Sequence, residues 1–418
     1  MKILLLPLFA IGLQSFPPAF SAAFAPSVFP SSARLPDRCV APASVPGARG
    51  AASLSFLAGT SDDAGDSTDR RGFFGKALGG AVAAGLVANK IAIEGPEPYA
   101  PIPRSLVGKV IVITGGNTGL GLESAKRLAL GGATVIITSR SREKGERAAH
   151  GVEEYLEEKG VGEGGGSVYS LPLDLCDLES VRAFPDLLRR SAALSSGSGK
   201  IDVLLNNAGV MAVPDLQITK DGYEKTFQTN HLGHFALTAL LSPLLNPDGS
   251  RVINVSSMAY LIAGDGLDLE GLNGEGGYGP WTSYGASKLE NILFTKELQR
   301  RADEAGRKIS AVALHPGAVR TELARYIIGE EKSASMQESK EPNPIDMLAL
   351  APGLYFTKGV DRGATSQIWL GAGQGENVEG KFYQNCKEVK LNKFATDMKV
   401  AKKLWVISEQ MSGVQFNL

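Results

Sequence analysis

The sequence predicts an α/β fold, namely a single doubly wound parallel sheet with helices on both faces. Short β-branched runs alternate with longer helical stretches from about residue 107 onward. The runs at residues 110–113 and 203–205 are apolar without alternation, as strands are when both faces of the sheet are covered. Strand, helix and strand in repeated succession indicate right-handed parallel units. We therefore expect one sheet with its ligand site at the carboxyl ends of the strands.

Each element follows from its own residues. β-branched and apolar runs predict strands at residues 109–114, 134–138, 167–173, 201–206, 251–255 and 309–314. Longer stretches predict helices at residues 120–130, 178–190, 221–245 and 283–301. Glycine and serine tracts at 160–167 and 195–199 fall between elements and predict surface loops. This is the order of a Rossmann domain over residues 107–395, followed by a C-terminal helix and tail over residues 396–418.

The composition argues against several classes of function. The 43 basic and 44 acidic residues are balanced, whereas nucleic-acid binding needs a clustered surplus of Lys and Arg. Cys39, Cys176 and Cys386 are far apart and odd in number, which argues against a disulfide framework or a zinc site. We expect neither a nucleic-acid partner nor a metal.

The first part of the chain has the composition of targeting segments. Residues 1–23 combine Lys2, an apolar run too short to span a bilayer comfortably, and small residues at the end, which is a signal-peptide layout. Residues 24–67 begin with an Arg- and Ser-rich stretch typical of transit peptides. The junction at Phe24 resembles that between signal and transit peptides in plastid proteins of algae with secondary plastids. A secreted protein with a disordered leader is the alternative.

Two further segments precede the predicted domain. In residues 68–92, Arg70 and Arg71 followed by weakly apolar residues look like a twin-arginine signal, directing the protein to the thylakoid lumen or holding it at a membrane. A small-residue helix that packs on the domain is the alternative. Four prolines in residues 93–106 predict an extended linker. The whole leader predicts a plastid location and leaves membrane association open.

A glycine-rich loop stands where the first strand meets the first helix. Its candidate cofactor-binding residues are Gly115, Asn117, Gly119, Leu120 and Gly121. Glycines let the backbone approach a pyrophosphate, and a helix N-terminus offers N–H groups and a positive dipole end. The spacing differs from the usual dinucleotide fingerprint. The position predicts a dinucleotide-binding loop, with a flexible turn as the alternative.

Tyr284 and Lys288 are four residues apart, so on a helix they share one face. A free tyrosine titrates at about pH 10, and a neighbouring positive charge favours the phenolate. We therefore expect Lys288 to lower the pKa of Tyr284, as a general acid and base for an alcohol or carbonyl requires. Tyr and Lys at this spacing are common on surfaces, so the pair needs support from other motifs.

These motifs resemble those of the short-chain dehydrogenase/reductase family over roughly residues 107–390. The family's signature has glycines at the places of Gly115, Gly119 and Gly121. Further cofactor-binding positions of the family correspond to Asp174, Asn207, Ala208, Gly209, Pro316, Gly317 and Thr321. The segment at residues 229–235 looks most like the retinol-dehydrogenase-like branch. The resemblance implies a nicotinamide cofactor and a Rossmann fold.

The resemblance also implies a catalytic set of Asn230, Ser257, Tyr284 and Lys288. Tyr284 would exchange a proton with the substrate oxygen, and Lys288 would also hold the nicotinamide ribose. Ser257 would orient the carbonyl, with Ser256 as the alternative. Asn230 would support a water chain to the lysine.

The cofactor choice is read at the end of the second strand. An acid there would bind the ribose 2′-hydroxyl and repel a 2′-phosphate, but this chain has Ser139 and Arg140. A planar guanidinium suits phosphate, so NADP(H) is favoured over NAD(H). Arg142 and Lys144 follow closely, and for them phosphate contact and a solvated helix start are equally open.

The substrate is less well defined. In the family, the regions corresponding to residues 264–279 and 321–363 frame the substrate, and their apolar content suggests a lipophilic carbonyl or alcohol. Packing on the domain or facing a partner is the alternative, and a homodimer stays open. Local hydrogen bonding is expected of the scattered His231, His234 and His315.

Three functions fit these observations. The first, which we favour, is a plastid NADPH-dependent carbonyl reductase or alcohol dehydrogenase. The second, implied by the resemblance to one branch of the family, is a dehydrogenase-like regulator at the plastid import machinery that senses the NADP(H) ratio. The third is a light-driven protochlorophyllide reductase, but that group usually lacks the serine seen here at Ser257.

Overall fold

The computed structural model describes residues 95–161, 165–321, 323, 326 and 357–418. The predicted signal, transit and twin-arginine-like segments lie outside the described residues, as does most of the segment at 321–363 that was predicted to frame the substrate. No helix in the described part of the chain is both long enough and apolar enough to cross a membrane.

One sheet of eight strands forms the centre of the molecule. The strands are β1 (Val110–Ile113), β2 (Thr134–Ser139), β3 (Ser167–Pro172), β4 (Val203–Asn206), β5 (Ser250–Val255), β6 (Ile309–His315), β7 (Phe382–Gln384) and β8 (Lys387–Glu388). Their spatial order is β3-β2-β1-β4-β5-β6-β7-β8, parallel except for β8. The predicted doubly wound α/β fold is confirmed, and the first six strands match the predicted ones. The reversal between β1 and β4 opens a crevice at the carboxyl edge.

Ten α-helices of the described residues connect and cover the strands. They are α1 (Gly119–Leu130), α2 (Arg142–Glu158), α3 (Leu178–Arg190), α4 (Ala192–Ser195), α5 (Lys225–Phe227), α6 (Gly233–Leu241), α7 (Pro280–Glu304), α8 (Val360–Gly363), α9 (Thr365–Gly371) and α10 (Met398–Ser412). A π-helical turn, Gln228–Leu232, joins α5 to α6. The stretch at 221–245, predicted as one helix, is therefore divided.

The sheet is buried on both faces, as the apolar runs predicted. Val110 and Val112 of β1 belong to the core beneath α3, α6 and α7, whereas Ile111 and Ile113 belong to the core beneath α1, α2 and α9. All four side chains are fully buried. Because successive side chains of a strand point to opposite faces, one short run supplies both cores.

The C-terminal helix supports the helix that carries Tyr284 and Lys288. Trp405 of α10 stacks on Phe416 at 4.7 Å between ring centroids and meets Phe235 of α6 edge-on at 5.1 Å. Phe294 of α7 lies against the same rings. Aromatic pairs of this kind contribute roughly 0.5–1.5 kcal/mol each beyond their buried area. The cluster therefore fixes α7 against α6 and α10.

The described part of the predicted linker lies against the domain. The Tyr99 carbonyl accepts a hydrogen bond from Arg127 of α1 at 3.0 Å, and Glu97 pairs with Arg362 at 2.9 Å. Leu106 is buried in the core beneath α1. Residues 95–106 thus lack a helix or strand, as the prolines predict, but contact the fold directly.

Candidate active site

The glycine loop after β1 has the backbone that its sequence predicts. Gly115 and Gly119 have φ values of +62° and +54°, which favour glycine. A Cβ added at Gly121 would collide with the Gly115 carbonyl and come within 2.6 Å of the Asn207 amide nitrogen. Three glycines are thus required by geometry. The loop gives a ligand direct access to the backbone at the start of α1, where the helix dipole favours an anion.

Thr114 ties this loop to the segment after β4. His234 donates from Nδ1 to the Asn230 carbonyl, 3.0 Å away, so its Nε2 accepts and the Thr114 hydroxyl donates to it at 2.8 Å. The Thr114 oxygen then accepts the backbone N–H groups of Asn207 and Ala208 at 2.9 and 3.0 Å. The neutral imidazole this requires agrees with a His234 pKa lowered to about 4 by burial.

A second brace comes from the distant helix α9. The Gln367 amide donates to the Leu120 carbonyl at 3.0 Å and to the Ser124 hydroxyl at 2.7 Å, both in the first turns of α1. The Asn207 side chain donates to the Thr114 carbonyl at 2.8 Å. These contacts fix Asn207 and Leu120, two predicted cofactor-binding residues, relative to the loop.

The residues predicted to choose and hold the adenosine end lie after β2 and β3. Arg140 is exposed directly after β2. Arg142 pairs with Glu146 along α2 at 2.8 Å, so its guanidinium has a partner within its own helix. The Asp174 carboxylate accepts the Cys176 N–H at 2.9 Å, which holds the turn after β3. Of Arg140 and Arg142, Arg140 is therefore the better candidate for contact with a phosphate at the end of β2.

Tyr284 and Ser257 meet at the carboxyl edge of β5. Tyr284, on α7, is 4% exposed, and its hydroxyl lies close enough to Ser257 for that side chain to lower the Tyr284 pKa against the effect of burial. The Ser257 oxygen also accepts the Ala259 N–H at 3.1 Å, which orients the side chain. Ser256, the alternative, is buried and donates to the Lys288 carbonyl at 2.6 Å. The geometry favours Ser257 because the Ser256 hydroxyl is engaged by the backbone of α7.

Lys288 lies one helical turn beyond Tyr284. Its Nζ is 5.5 Å from the centre of the Tyr284 ring and donates to the Val255 carbonyl at 3.2 Å. A Cβ added at Gly209 would be 3.6 Å from that Nζ. The predicted segment after β4 and the predicted lysine are therefore brought together. Burial lowers the pKa of Lys288 to about 8.

The expected lowering of the Tyr284 pKa is wrong for this structure, because the pKa is raised. Burial raises the pKa of Tyr284 to about 12, and the neighbouring Ser257 side chain offsets part of that rise. Desolvation disfavours the charged form of any group, so the buried Tyr284 keeps its proton to a higher pH. Tyr284 is thus held as the neutral phenol, which can donate a proton.

Asn230 sits in the middle of the π-helical turn between α5 and α6. Its Oδ1 accepts the Val210 N–H at 2.8 Å, and its Nδ2 donates to the Val210 carbonyl at 3.0 Å and to Ser287 at 2.9 Å. Ser287 in turn donates to the Tyr284 carbonyl at 2.7 Å. Asn230 therefore links the segment after β4 to α7. π-Turns of this kind are frequent at functional sites.

Pro316, Gly317 and Thr321 follow β6 toward the same crevice. Gly317 has a φ of +94°, and a Cβ there would come within 2.7 Å of Lys358 Nζ. The Thr321 side chain lies 3.4 Å from the position of a Cβ on Gly119. The structure thus brings the end of β6 against the glycine loop, as the family pattern implies.

Several residues of this site were not predicted as functional. These residues contact partners that are distant in sequence, so no local sequence pattern indicates their role. They are Thr114, Gln367, Ser287 and Lys358. His231 bonds Ser408 at 2.9 Å, which fits the local role expected of it. Within the described ranges, no group of three or more His, Cys, Asp or Glu side chains could hold a metal ion.

Comparison with known proteins agrees with this geometry. The family model described as short chain dehydrogenase matches residues 109–332. The chain is 39% identical over 323 residues to "Retinol dehydrogenase 14" of Mus musculus, covering 75% of this chain and 88% of that protein. It is 35% identical over 340 residues to "Retinol dehydrogenase 13" of Homo sapiens, covering 80% and 93% respectively.

A solved structure supports the same assignment. The crystal structure of an uncharacterised protein from Mycobacterium Paratuberculosis is 36% identical, with a TM-score of 0.56, and covers 78% of this chain and 100% of that one. The family match spans the strands from β1 to β6 together with α7. The chain therefore belongs to the short-chain dehydrogenase/reductase family of oxidoreductases, in its retinol-dehydrogenase-like branch.

Proposed function

We propose that this oxidoreductase uses NADP(H) to transfer a hydride between nicotinamide and the carbonyl or alcohol group of a lipophilic substrate. The observation that carries the proposal is the meeting of Tyr284, Ser257 and Lys288 at the carboxyl edge of β5, beside Gly209. A phenol, a hydroxyl and an ammonium at one wall of the crevice suit proton exchange with a substrate oxygen.

The residues at the crevice fit a dinucleotide. The Gly115 to Gly121 loop would hold the pyrophosphate, because the positive φ angles of Gly115 and Gly119 and the collision of a Cβ at Gly121 with the Gly115 carbonyl keep the loop free of side chains. Asp174 would hold the adenine ring, and Arg140 would face a 2′-phosphate. Asn117, Leu120, Asn207, Ala208, Pro316, Gly317 and Thr321 would complete the site. When bound, the nicotinamide supplies or accepts the hydride.

The chain's own residues would manage the proton. Tyr284 is buried as the neutral phenol, so in the reducing direction it donates its proton to the substrate oxygen. Ser257 would hold that oxygen by a hydrogen bond. Lys288, as the ammonium, would stabilise the phenolate that forms, and Asn230 would fix α7 through Ser287. An ammonium with a pKa near 8 is poised to lose its proton just above neutrality.

The substrate class is supported by the relatives described above, both of which are named as retinol dehydrogenases. A retinoid is a long apolar chain ending in an alcohol or aldehyde, which agrees with the lipophilic substrate expected from the apolar content of the sequence at residues 264–279 and 321–363. The bipartite leader favours a plastid location, so a lipophilic aldehyde or alcohol of the plastid is the proposed substrate.

A spectrophotometric screen of the full-length chain tests this proposal. NADPH and NADH would each be offered with aldehydes, retinoids, quinones and steroids. We expect oxidation of NADPH with at least one lipophilic aldehyde, at a higher rate than with NADH. NADPH binding without turnover on the whole panel would reject the enzyme and favour the redox-sensing regulator of plastid import instead.

A further inference from the structure

The helix that carries Tyr284 also carries a tryptophan beside it. Trp281 precedes Tyr284 by three residues on α7, so the two side chains share one face of the helix. Their ring centroids are 6.3 Å apart, and the rings meet edge-on with an angle of 79° between their planes. Tyr284 is buried, whereas Trp281 is partly exposed. The indole therefore gives the buried phenol an aromatic neighbour that a ligand can reach.

The direction of α7 places this pair at the crevice. β5 and β6 are parallel neighbours, so the helix between them runs back from the carboxyl edge of the sheet to the amino edge. Trp281 is the second residue of α7 and therefore lies at the carboxyl edge, where the cofactor would bind. A substrate whose oxygen meets the Tyr284 hydroxyl has its next carbon atoms within reach of the indole, because a few carbon–carbon bonds span 6.3 Å.

The segment after β4 forms a second wall of the crevice. Asn230 fixes its start by hydrogen bonds to the Val210 N–H and carbonyl groups. The Tyr278 hydroxyl fixes its other end by donating to the Val213 carbonyl at 2.6 Å. Between them, Ala212 has a φ of +51°, a value uncommon for a residue other than glycine. Backbone strain of this kind persists where surrounding contacts enforce it and is frequent at ligand sites.

Exposed apolar side chains extend this second wall outward. Leu216 is 45% exposed and Ile218 is 54% exposed, although contact with water is unfavourable for both. The Leu216 Cδ1 atom lies 3.5 Å from the position of a Cβ on Gly274, so Leu216 contacts the loop at residues 264–279. That loop was predicted to frame the substrate, and it leads directly into α7. The loop therefore connects the apolar side chains of the second wall to Trp281.

We propose that Trp281 determines substrate specificity, its indole packing against the apolar chain next to the carbonyl or alcohol carbon. The ligand class is an extended hydrocarbon chain that carries the reacting group at one end, with its distant part reaching Leu216. A rigid aromatic ring offers a large apolar contact at little cost in conformational entropy. This inference rests on the proposed function, because it takes Tyr284 as the group that meets the substrate oxygen.

Steady-state kinetics of Trp281→Ala with a long and a short aldehyde test the proposal. The kcat/KM value for retinaldehyde should fall roughly ten- to a hundredfold, mainly through KM, because an apolar contact present in both the ground state and the transition state is lost. The value for propanal should fall far less, since its chain is too short to cover an indole. Trp281→Phe keeps an aromatic ring and should retain most of the preference for retinaldehyde. An unchanged ratio of the two kcat/KM values in Trp281→Ala would overturn the proposal.

A second tryptophan offers a matched control. Trp369 is 9% exposed and packs on Tyr383 of β7 at 5.8 Å between ring centroids. Trp369→Ala should lower the thermal unfolding temperature and leave the ratio of the two kcat/KM values in place, because Trp369 belongs to the core beneath α1, α2 and α9. An equal loss of the preference for retinaldehyde in Trp369→Ala would show that the loss of any packed indole suffices, and would overturn the specific role of Trp281.

Retinol binding separates this inference from the enzymatic function. The full-length chain would be titrated with retinol and the binding followed by the fluorescence of retinol itself, which needs no turnover. We expect the Kd to rise roughly tenfold in Trp281→Ala and to stay unchanged in Trp369→Ala. Such a rise in a chain that reduces no aldehyde would support the apolar contact and reject the enzyme. An unchanged Kd in Trp281→Ala, together with turnover of retinaldehyde, would support the enzyme and overturn the role of Trp281.

Discussion

The two halves of the crevice are formed by different parts of the chain, main-chain atoms in one half and side chains in the other. On the β1 side, the site is made of backbone: three glycines, the start of α1 and the braces from Thr114 and Gln367. On the β5 side, it is made of buried side chains, with Tyr284 and Lys288 both removed from solvent. The first half excludes side chains, whereas the second half uses burial to shift their pKa values.

This difference explains why the two halves respond differently to change. A backbone site is sensitive to added volume, because a new Cβ collides with main-chain atoms that cannot move aside. A side-chain site is sensitive to lost functional groups, because each group has one chemical role. Mutations in the two halves should therefore separate cofactor binding from turnover.

The largest expected effect is on the side-chain half. Tyr284→Phe removes the phenolic proton and should lower kcat by about 10²–10⁴-fold, the usual range for a general acid. NADPH affinity, measured by fluorescence titration, should stay nearly unchanged because the glycine loop is untouched. Tyr260→Phe is the control, since Tyr260 is a buried tyrosine that packs on Phe382. Substantial turnover in Tyr284→Phe would mean that another group donates the proton.

The second-largest effect is expected on the β1 side of the crevice, where the adenosine end of the cofactor would bind. Arg140→Glu places an acid at the end of β2, so NADPH affinity should fall by roughly ten- to a hundredfold and the preference should move toward NADH. Arg142→Glu is the matched control because Arg142 is engaged by Glu146 within α2. Equal losses of NADPH affinity in the two variants would point to general charge rather than to a phosphate contact.

A smaller effect is expected from added volume in the glycine loop. Gly121→Ala puts a methyl group against the Gly115 carbonyl and the Asn207 amide, which should cost about 1–3 kcal/mol in unfolding free energy and weaken NADPH binding. Gly151→Ala, inside α2 where nothing lies within 4 Å, should instead stabilise by up to about 1 kcal/mol. Thermal unfolding with and without NADPH measures both, and a Gly121→Ala protein of unchanged affinity would refute the tight loop.

The smallest intervention is a change of pH in the unmodified chain. Lys288 has a pKa lowered to about 8, so the ammonium is present below pH 8 and lost as the pH rises through that value. Turnover in the reducing direction should therefore decline above pH 8, by about tenfold per unit at the limit. A profile that stays level through pH 9 would show that charged Lys288 is not required.

The same contrast marks what the sequence could predict. The apolar runs of β1 and β4 predicted a sheet covered on both faces, and the glycine spacing predicted a loop whose glycines the geometry requires. The strands β7 and β8 were missed because two or three residues leave no pattern. The π-turn at Asn230 was missed because it differs from an α-helix only in hydrogen-bond register.

The electrostatics of the site could not be predicted from sequence. The positions of Tyr284 and Lys288 followed from a four-residue spacing, but the direction of the Tyr284 pKa shift depends on burial, which the spacing does not contain. The sequence therefore identified the types of residue that carry the chemistry. Their protonation states depend on burial, which only the folded structure shows.

Deuteride transfer tests the central claim most directly. NADPH labelled with deuterium at the reactive C4 position would be mixed with retinaldehyde and the full-length chain, and the product analysed by mass spectrometry. The account predicts retinol carrying one deuterium on the alcohol carbon, and a greatly reduced yield with Tyr284→Phe. NADPH consumed without label in the product, or an undiminished yield with Tyr284→Phe, would contradict it.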